Sequence, residues 1–325
     1  MKPIFIAGSE RSGTTLLRLM LHSHPRIAIP PQTKYVKKVY KRRIMFGNLQ
    51  KEKNRNKLAS WFKNNFHTST KLNDLNIELN EVIKEILVSK SLGSSLAVPW
   101  NSYAKKYGKK RWGDKRPYYI HHMDKIRKLY PDAQIIHIIR DCRDVIASLI
   151  EMPWWHKTLE YSILNWKSAI QHGLIARQNT KVDEYIELRY EDLLTNPEYE
   201  LGRLCQFLGE EYDPRMLNFQ KTSELSVPDY KMHWHGATRG PLNKKSVERW
   251  KKDLSTHQIS IVQWAAGNEL LKLGYDLSKT KTPSMKNRID YRLKATKFAI
   301  SDVQQNIIDK IISLLYSGNL DYRID

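Results

Sequence analysis

The stretch IFIAGSERSGTTLLRLML, residues 4–21, decides the fold of this 325-residue chain. An apolar run ends at Gly8, a short polar loop leads to Gly13, and an apolar pattern of helical spacing follows from Leu16. This order predicts a buried strand, a loop and a helix. Backbone N–H groups of such a loop, placed at the positive end of a helix, bind anions. We therefore expect a phosphate site between Gly8 and Gly13.

The loop has the glycine spacing of a P-loop, but its cation stands elsewhere. A Walker A sequence has Lys directly after the second glycine, whereas this chain has Thr14, followed by Thr15. The cation is Arg11, inside the loop and beside Ser12. Such a loop fits a ligand with one phosphate at this point. It does not require a metal ion, and we expect none.

Composition limits the class of protein and its partners. A hydrophobic fraction of 41% supports a folded core, and the net charge of +21 calls for anionic partners. Nucleic acid, an anionic membrane, an acidic acceptor and a polyanionic nucleotide would all satisfy that charge. The two cysteines, Cys142 and Cys205, form no metal-binding pair, and no stretch has the length and apolarity of a membrane span. We expect a soluble cytoplasmic protein without specific nucleic-acid binding.

Two further strands are predicted downstream. The run AQIIHII, residues 133–139, is continuously apolar, as in a parallel strand buried on both faces, and residues 185–190 give the second strand. Strands separated by helices predict a three-layer α/β fold, P-loop-like, with a mostly parallel central sheet flanked by helices. Ligands of such folds lie at the carboxyl ends of the strands. Arg140 ends the run at 133–139, so it should meet the Gly8 loop in one site.

We expect a single domain over 1–325 with two additions. Residues 44–110, rich in Asn and Lys, are predicted as a helical insertion with its clearest helix at 74–89, and 276–325 as a C-terminal helical extension with an amphipathic helix at 301–317. Other helices are expected at 34–43, 160–177, 198–208 and 256–273, and a loop-like segment at 221–254. The basic helix at 34–43 could alternatively contact nucleic acid or membrane.

The string RSGTTL, residues 11–16, with His24-Pro25 after the helix, resembles the 5′-phosphosulfate loop of sulfotransferases that use 3′-phosphoadenosine 5′-phosphosulfate (PAPS). The tyrosylprotein and bacterial branch is the most similar. The resemblance implies in-line transfer of a sulfuryl group from PAPS to a hydroxyl or amine, with adenosine 3′,5′-bisphosphate (PAP) as the product. It implies that the 5′ side of the cofactor is bound by Arg11, Ser12, Gly13, Thr14 and Thr15.

Further segments resemble the rest of the family's cofactor site. The string IRDCRDVIAS, residues 139–148, implies that Arg140 and Ser148 bind the 3′-phosphate, the alternative being that Arg140 pairs with Asp144. The string LRYEDL, residues 188–193, nominates Tyr190, which could instead be a core aromatic residue.

A later segment, RGPLNKK at residues 239–245, resembles the family's mobile cofactor loop. It nominates Arg239, Lys244 or Lys245 as residues that close over the nucleotide. The alternative is that each is a solvated surface charge.

Catalytic residues follow from two more segments. The string WGDKRP, residues 112–117, resembles the segment of the family's catalytic lysine, here Lys115; with Arg11 it would stabilise charge on the transferred group. Where the branch has a glutamate base this chain has Gln32, and a carboxamide cannot take a proton. The base could be another residue, with Asp114, His233 and His235 as candidates. Alternatively the acceptor needs little base catalysis, or the chain is an impaired member.

Three functions fit these motifs to different degrees. A PAPS-dependent sulfotransferase accounts for most motifs, and its acceptor is open, with the basic charge favouring an acidic one. A P-loop-type small-molecule kinase is disfavoured by the missing lysine after Gly13. A catalytically impaired member that binds a nucleotide or polyanion is favoured by Gln32 and by the net charge of +21.

Overall fold

In the computed structural model, which describes residues 1–226 and 240–322, five strands form one parallel sheet. The strands are β1 (Ile4–Gly8), β2 (Ile27–Ala28), β3 (Arg111–Lys115), β4 (Gln134–Ile139) and β5 (Tyr185–Arg189), in the spatial order β2-β3-β1-β4-β5. The central strand β1 pairs with β3 and β4, which places the loop after Gly8 between the ends of two neighbouring strands. A parallel sheet with helical connections was predicted and is confirmed.

The helices of the described residues follow in chain order. They are α1 (Thr14–Ser23), α2 (Tyr35–Lys41), α3 (Arg43–Phe46), α4 (Glu52–Asn65), α5 (Leu79–Val88), α6 (Leu92–Lys106), α7 (Met123–Leu129), α8 (Cys142–Ile150), α9 (Leu159–Asn179), α10 (Tyr190–Thr195), α11 (Pro197–Leu208), α12 (Phe219–Ser226), α13 (Trp250–Asp253), α14 (Thr256–Lys272) and α15 (Met285–Leu315). None of these helices has the length and apolarity needed to cross a bilayer.

The two faces of β1 belong to different cores because side chains alternate along a strand. Ile4 and Ile6 pack in a cluster that includes α1 and α11. Phe5 lies in an aromatic cluster on the other face, 5.9 Å from the ring centroid of Trp100 and 5.5 Å from that of Tyr119. The sheet is therefore covered by helices on both faces, which makes the predicted three layers.

Residues 44–110 contain the helices α4 to α6, between β2 and β3, where an insertion was predicted. The helix expected at 74–89 is shorter: a 3-10 turn spans Asn73–Leu75, and α5 begins only at Leu79. Asn76 has a left-handed φ of 48°, which interrupts helical geometry. The division of 1–325 into one domain with two additions stays a prediction.

The C-terminal part of the chain differs most from expectation. The last helix, expected at 301–317, begins at Met285 and is 31 residues long, with Ser284 as its cap. Its first half was missed because charged residues interrupt the apolar pattern. The segment 221–254 was expected to be loop-like, but α12 occupies its start and α13 its end. The strand β3 was not predicted, since RWGDK lacks a strand pattern.

Close approach of β1 to β4 explains Gly8. A β-carbon at Gly8 would lie 2.5 Å from the carbonyl oxygen of Ile138, a backbone atom of the neighbouring strand. Gly8→Ala should therefore lower the free energy of unfolding by about 1–3 kcal/mol, as overpacking does, measured by urea denaturation.

The matched control is Gly202→Ala in α11, where a β-carbon meets nothing within 4 Å. That variant should be more stable by about 0.5–1 kcal/mol, because alanine is the better helix former. Equal effects of the two substitutions would contradict the close approach.

Candidate functional site

The loop between β1 and α1 exposes backbone donors at a helix N-terminus. Gly13 caps α1 with a left-handed φ of 93°, and Arg11 also has a positive φ, 67°. The hydroxyls of Ser9 and Ser12 lie 2.5 Å apart and tie the loop to itself. The first turn of an α-helix leaves N–H groups without intrahelical partners, and α1 has no acidic residue there to compete for them. Loops of this geometry can hold an anion.

Tyr190 forms one wall of this loop. A β-carbon at Gly13 would overlap the Tyr190 ring, so glycine is required by packing as well as by its φ. The Tyr190 hydroxyl lies 2.8 Å from Oγ of Ser246, which belongs to a 3-10 turn at Lys244–Ser246. The ring thus joins the first loop to a segment more than two hundred residues later. Tyr190 was nominated for the site, and it lies beside the loop.

Arg140 links the same two segments. Its Nη1 donates to the carbonyl oxygen of Arg11 at 2.9 Å, its Nη2 donates to that of Ser246 at 2.5 Å, and its guanidinium lies 4.6 Å from the centroid of Tyr190. Nε of Arg140 is buried and has no hydrogen-bond partner among the described residues. A buried donor without a partner is costly unless a ligand satisfies it.

Asp144, the alternative partner of Arg140, serves a different purpose. Its two carboxylate oxygens accept the backbone N–H groups of Glu248 at 2.8 Å and Trp250 at 3.0 Å. Burial raises the pKa of Asp144 to about 6, and the positive charge of Arg140 acts in the opposite direction. Asp144 therefore fastens the segment after Lys244 to α8.

Three arginines gather on one side of the loop. Nε of Arg11 donates to Oγ of Ser148 at 2.9 Å. Burial, together with the neighbouring charges of Arg140 and Arg249, lowers the pKa of Arg11 to about 10. Arg249, which bonds Asp253 at 2.6 Å and also Glu151, was missed by sequence reasoning. Its place directly before Trp250 was the available signal.

Lys115 and Gln32 meet on the other side of the loop. Lys115 ends β3 next to Ile6 of β1, and its Nζ donates to Oε1 of Gln32 at 3.1 Å and to Oγ1 of Thr15 at 3.3 Å. The candidate lysine, the residue at the position of the family's base, and the start of α1 are thus in direct contact. The three belong to segments far apart in the chain, and the sheet brings them together.

Asp114, by contrast, is not brought to this point. It precedes Lys115 on β3 and so faces the opposite side of the sheet, where Tyr119 donates a hydrogen bond to its carboxylate. Desolvation by burial raises the pKa of Asp114 to about 6. The position argues against Asp114 as the base that takes a proton beside Lys115.

The remaining nominated residues lie near the edge of the site or outside the described part. Lys244 is exposed in the turn that carries Ser246, and Lys245 is exposed beside it. His233, His235 and Arg239 lie outside the described residues. Within 1–226 and 240–322 no three His, Cys, Asp or Glu side chains gather as metal ligands, and metal-free turnover stays a prediction.

Comparison with known proteins shows the family of this chain. Residues 3–214 match the model of the sulfotransferase family. The chain belongs to that family. Protein-tyrosine sulfotransferase A of Caenorhabditis elegans is 24% identical over 280 residues, which cover 84% of this chain and 67% of that protein. Carbohydrate sulfotransferase 1 of Rattus norvegicus is 26% identical over 175 residues, covering 48% of this chain and 42% of the relative.

A solved structure supports the fold. The sulfotransferase domain from the Synechococcus PCC 7002 olefin synthase superposes with a TM-score of 0.57 at 20% identity, covering 86% of this chain and 96% of that domain. The predicted family, fold and enzyme class are confirmed: the chain is a sulfotransferase, an enzyme of sulfuryl transfer. The roles of individual residues stay predictions.

The buried carboxylate of Asp114 gives a test by pH. Its pKa is about 6 against an ordinary 3.8, so the folded protein holds this proton more tightly than the unfolded chain does. This group therefore lowers stability as pH rises from about 4 to about 6, by up to about 3 kcal/mol. Asp114→Asn removes that loss. Its free energy of unfolding, relative to wild type, should be higher at pH 8 than at pH 4.

Urea denaturation at both pH values measures this difference. Asp276→Asn, at an exposed position, is the control and should leave the pH dependence unchanged. If Asp114→Asn keeps the same offset from wild type at both pH values, the carboxylate is not desolvated as described.

Proposed function

We propose that this sulfotransferase uses PAPS as its donor and sulfates a hydroxyl or amine of an anionic acceptor. The observation that carries the proposal is Arg140: it joins the β1–α1 loop to the turn at Ser246, and its buried Nε lacks a partner among the described residues. A phosphate oxygen is the kind of acceptor that a guanidinium donor fits best. The residues around Arg140 are assigned to the two ends of PAPS by the same match of donors to phosphate oxygens.

The residues of the loop would hold the 5′ side of PAPS. Backbone N–H groups after Gly13 and the side chain of Arg11 supply donors and positive charge, with Ser12, Thr14 and Thr15 beside them.

On the 3′ side, Arg140 and Ser148 are our candidates. The Ser148 hydroxyl accepts from Arg11, which leaves its own hydrogen available for a phosphate. Tyr190 offers its ring to the adenosine, while Arg239 and Lys244 stay predicted cofactor contacts.

PAPS supplies the transferred sulfuryl group and PAP as its leaving group. Lys115 is held beside Thr15 and Gln32, where its ammonium group would stabilise negative charge that develops on the sulfuryl oxygens. Gln32 accepts a hydrogen bond from Lys115 through Oε1, and this oxygen is a far weaker base than a carboxylate. We infer that Gln32 orients the acceptor rather than taking its proton.

A basic cluster near Thr33, the residue after Gln32, supports an anionic acceptor, since Nη1 of Arg116 donates to the carbonyl oxygen of Thr33 at 3.2 Å. Nζ of Lys37 lies 3.9 Å above the ring of Tyr118, and the guanidinium of Arg116 lies 5.6 Å from it. Burial, together with repulsion from Lys41, Arg116 and Lys125, lowers the pKa of Lys37 to about 8. An acceptor with carboxylate, sulfate or phosphate groups would relieve that repulsion. The named relatives act on protein tyrosine and on carbohydrate, and either could carry such groups.

The chain should bind PAP tightly without magnesium and prefer it to ADP. Calorimetric titration measures this. Arg140→Ala should lower the affinity for PAP about 10- to 100-fold, since it removes charge-assisted hydrogen bonds. The affinity of Arg140→Lys for PAP should lie between those of wild type and Arg140→Ala, because lysine keeps the positive charge but lacks the planar guanidinium.

Arg203→Ala is the matched control, since Arg203 also makes several side-chain hydrogen bonds but lies in α11. Its affinity for PAP should equal that of wild type. Equal binding of PAP and ADP, or unaltered binding by Arg140→Ala, would contradict the assignment of the 3′-phosphate.

Gln32 also gives a prediction about rate. Gln32→Glu places a carboxylate beside Lys115, and general base catalysis contributes about 100-fold or more to such reactions. With an acidic peptide that carries one tyrosine, we expect kcat for PAP formation to rise at least about tenfold, with a new acidic limb in the pH profile. The affinity for PAP should not change.

A second candidate function, a member that binds nucleotide without turnover, is favoured by Gln32 itself. It predicts that the wild type forms no sulfated product while Gln32→Glu does. A fall in kcat on Gln32→Glu would contradict both expectations and indicate that the amide is required and that the base is another residue.

The cytoplasmic location expected from the sequence stays a prediction.

A further inference from the structure

The longest helix, α15, is fixed to the protein by one face. Tyr291 is buried against Trp264, at 5.6 Å between ring centroids, and Phe298 lies 5.5 Å from Tyr161. Further along, Asp309 pairs with both Arg43 and Lys125 at 3.3 Å. At 3.6 residues per turn, residues 291, 298 and 309 lie on the same side of the helix. That side is the inner face.

The opposite face is apolar and exposed. Leu293, Ile300, Ile307 and Leu314 recur every seven residues, and Ile289 and Ile311 lie in the same stripe, about 140–200° around the helix from Tyr291. These six side chains are between 51% and 86% exposed. Apolar residues scattered singly on a surface need no explanation, but a continuous stripe of this length marks a contact with something else. The sequence predicts an amphipathic helix at 301–317, and the structure shows that these apolar side chains are exposed.

Charges beside the stripe indicate what it contacts. Arg292 and Lys310 flank it on one side, Lys286 and Lys297 on the other, and all four are exposed. The acidic residues are arranged differently: Asp309 lies on the inner face, Asp302 is exposed but lies at the angle of that face and so away from the stripe, and Asp290 pairs with Lys294 at 2.6 Å. The exposed half of α15 is thus an apolar stripe with basic borders.

We propose that this face of α15 docks on an anionic phospholipid bilayer, with the helix lying in the plane of the interface. An apolar stripe bordered by Lys and Arg is the pattern of an interfacial helix, in which apolar side chains enter the acyl boundary and basic ones meet anionic headgroups. The helix does not have the apolarity to cross the bilayer. A chain with a net charge of +21 adds long-range attraction to such a surface.

A second copy of the chain is the less favoured occupant of the stripe. Helices that pair through a seven-residue repeat need complementary charges along the borders of the contact. Both borders here are basic, so two copies of α15 would bring like charges together in either orientation. The membrane, with its negative headgroups, complements the same borders.

Sedimentation of the full-length chain with vesicles tests the proposal. We expect binding to phosphatidylcholine vesicles that contain phosphatidylserine, little binding to phosphatidylcholine alone, and release by salt. Ile300→Glu and Ile307→Glu should each lower the partition coefficient about tenfold through lost apolar burial. Lys297→Gln and Lys310→Gln should each lower it about fivefold.

Val182→Glu is the matched control, since Val182 is equally apolar and 93% exposed but lies outside α15. It should bind vesicles as wild type does. Unchanged thermal unfolding and PAP affinity of the α15 variants show that the fold is intact. Absence of vesicle binding, equal loss with Val182→Glu, or a dimer in light scattering that Ile300→Glu dissociates would each overturn the proposal.

Discussion

The hydrogen bonds of Arg140 to the carbonyl oxygens of Arg11 and Ser246 are the constraint on which the site depends. They hold a loop at the beginning of the chain against a turn near residue 246, with the ring of Tyr190 between them. Arg140 can do this because β4 lies next to β1, so that the two strands end side by side. Burial, together with the neighbouring charges of Arg140 and Arg249, lowers the pKa of Arg11. Binding of the polyanionic nucleotide that we propose would relieve the repulsion among these cations.

Much of this arrangement could be predicted from sequence because it depends on local pattern. Gly8 and Gly13 bound a loop between an apolar strand and an apolar helix, and Arg140 ends an apolar strand, so the topology of a parallel sheet brings them together. The strand β3 could not be found this way. Arg111 is buried because distant residues satisfy it, with Leu208 accepting from its Nη1 at 2.6 Å. Such pairings have no signature in the local sequence.

Two other features depend on tertiary structure in the same sense. The only sequence signal for Arg249 is its place before Trp250, and it joins the site because Asp144 fixes the neighbouring backbone. The amphipathic pattern of α15 was visible, but pattern alone does not say which face is buried. Contacts of Tyr291 and Asp309 decide that the polar and aromatic side packs inward. The apolar residues of the pattern therefore lie on the exposed side, although an amphipathic helix on a globular core normally turns that side inward.

The central claim is sulfuryl transfer to an anionic acceptor, and mass spectrometry of the products tests it most directly. The protein would be incubated without magnesium with PAPS and matched acceptors, namely acidic and neutral peptides with one tyrosine and acidic and neutral glycans. We predict that the acidic member of a pair gains one SO3 group for each PAP formed, faster than the neutral member. Absence of any sulfated product, with PAP binding intact, would contradict the account and leave a nucleotide-binding protein.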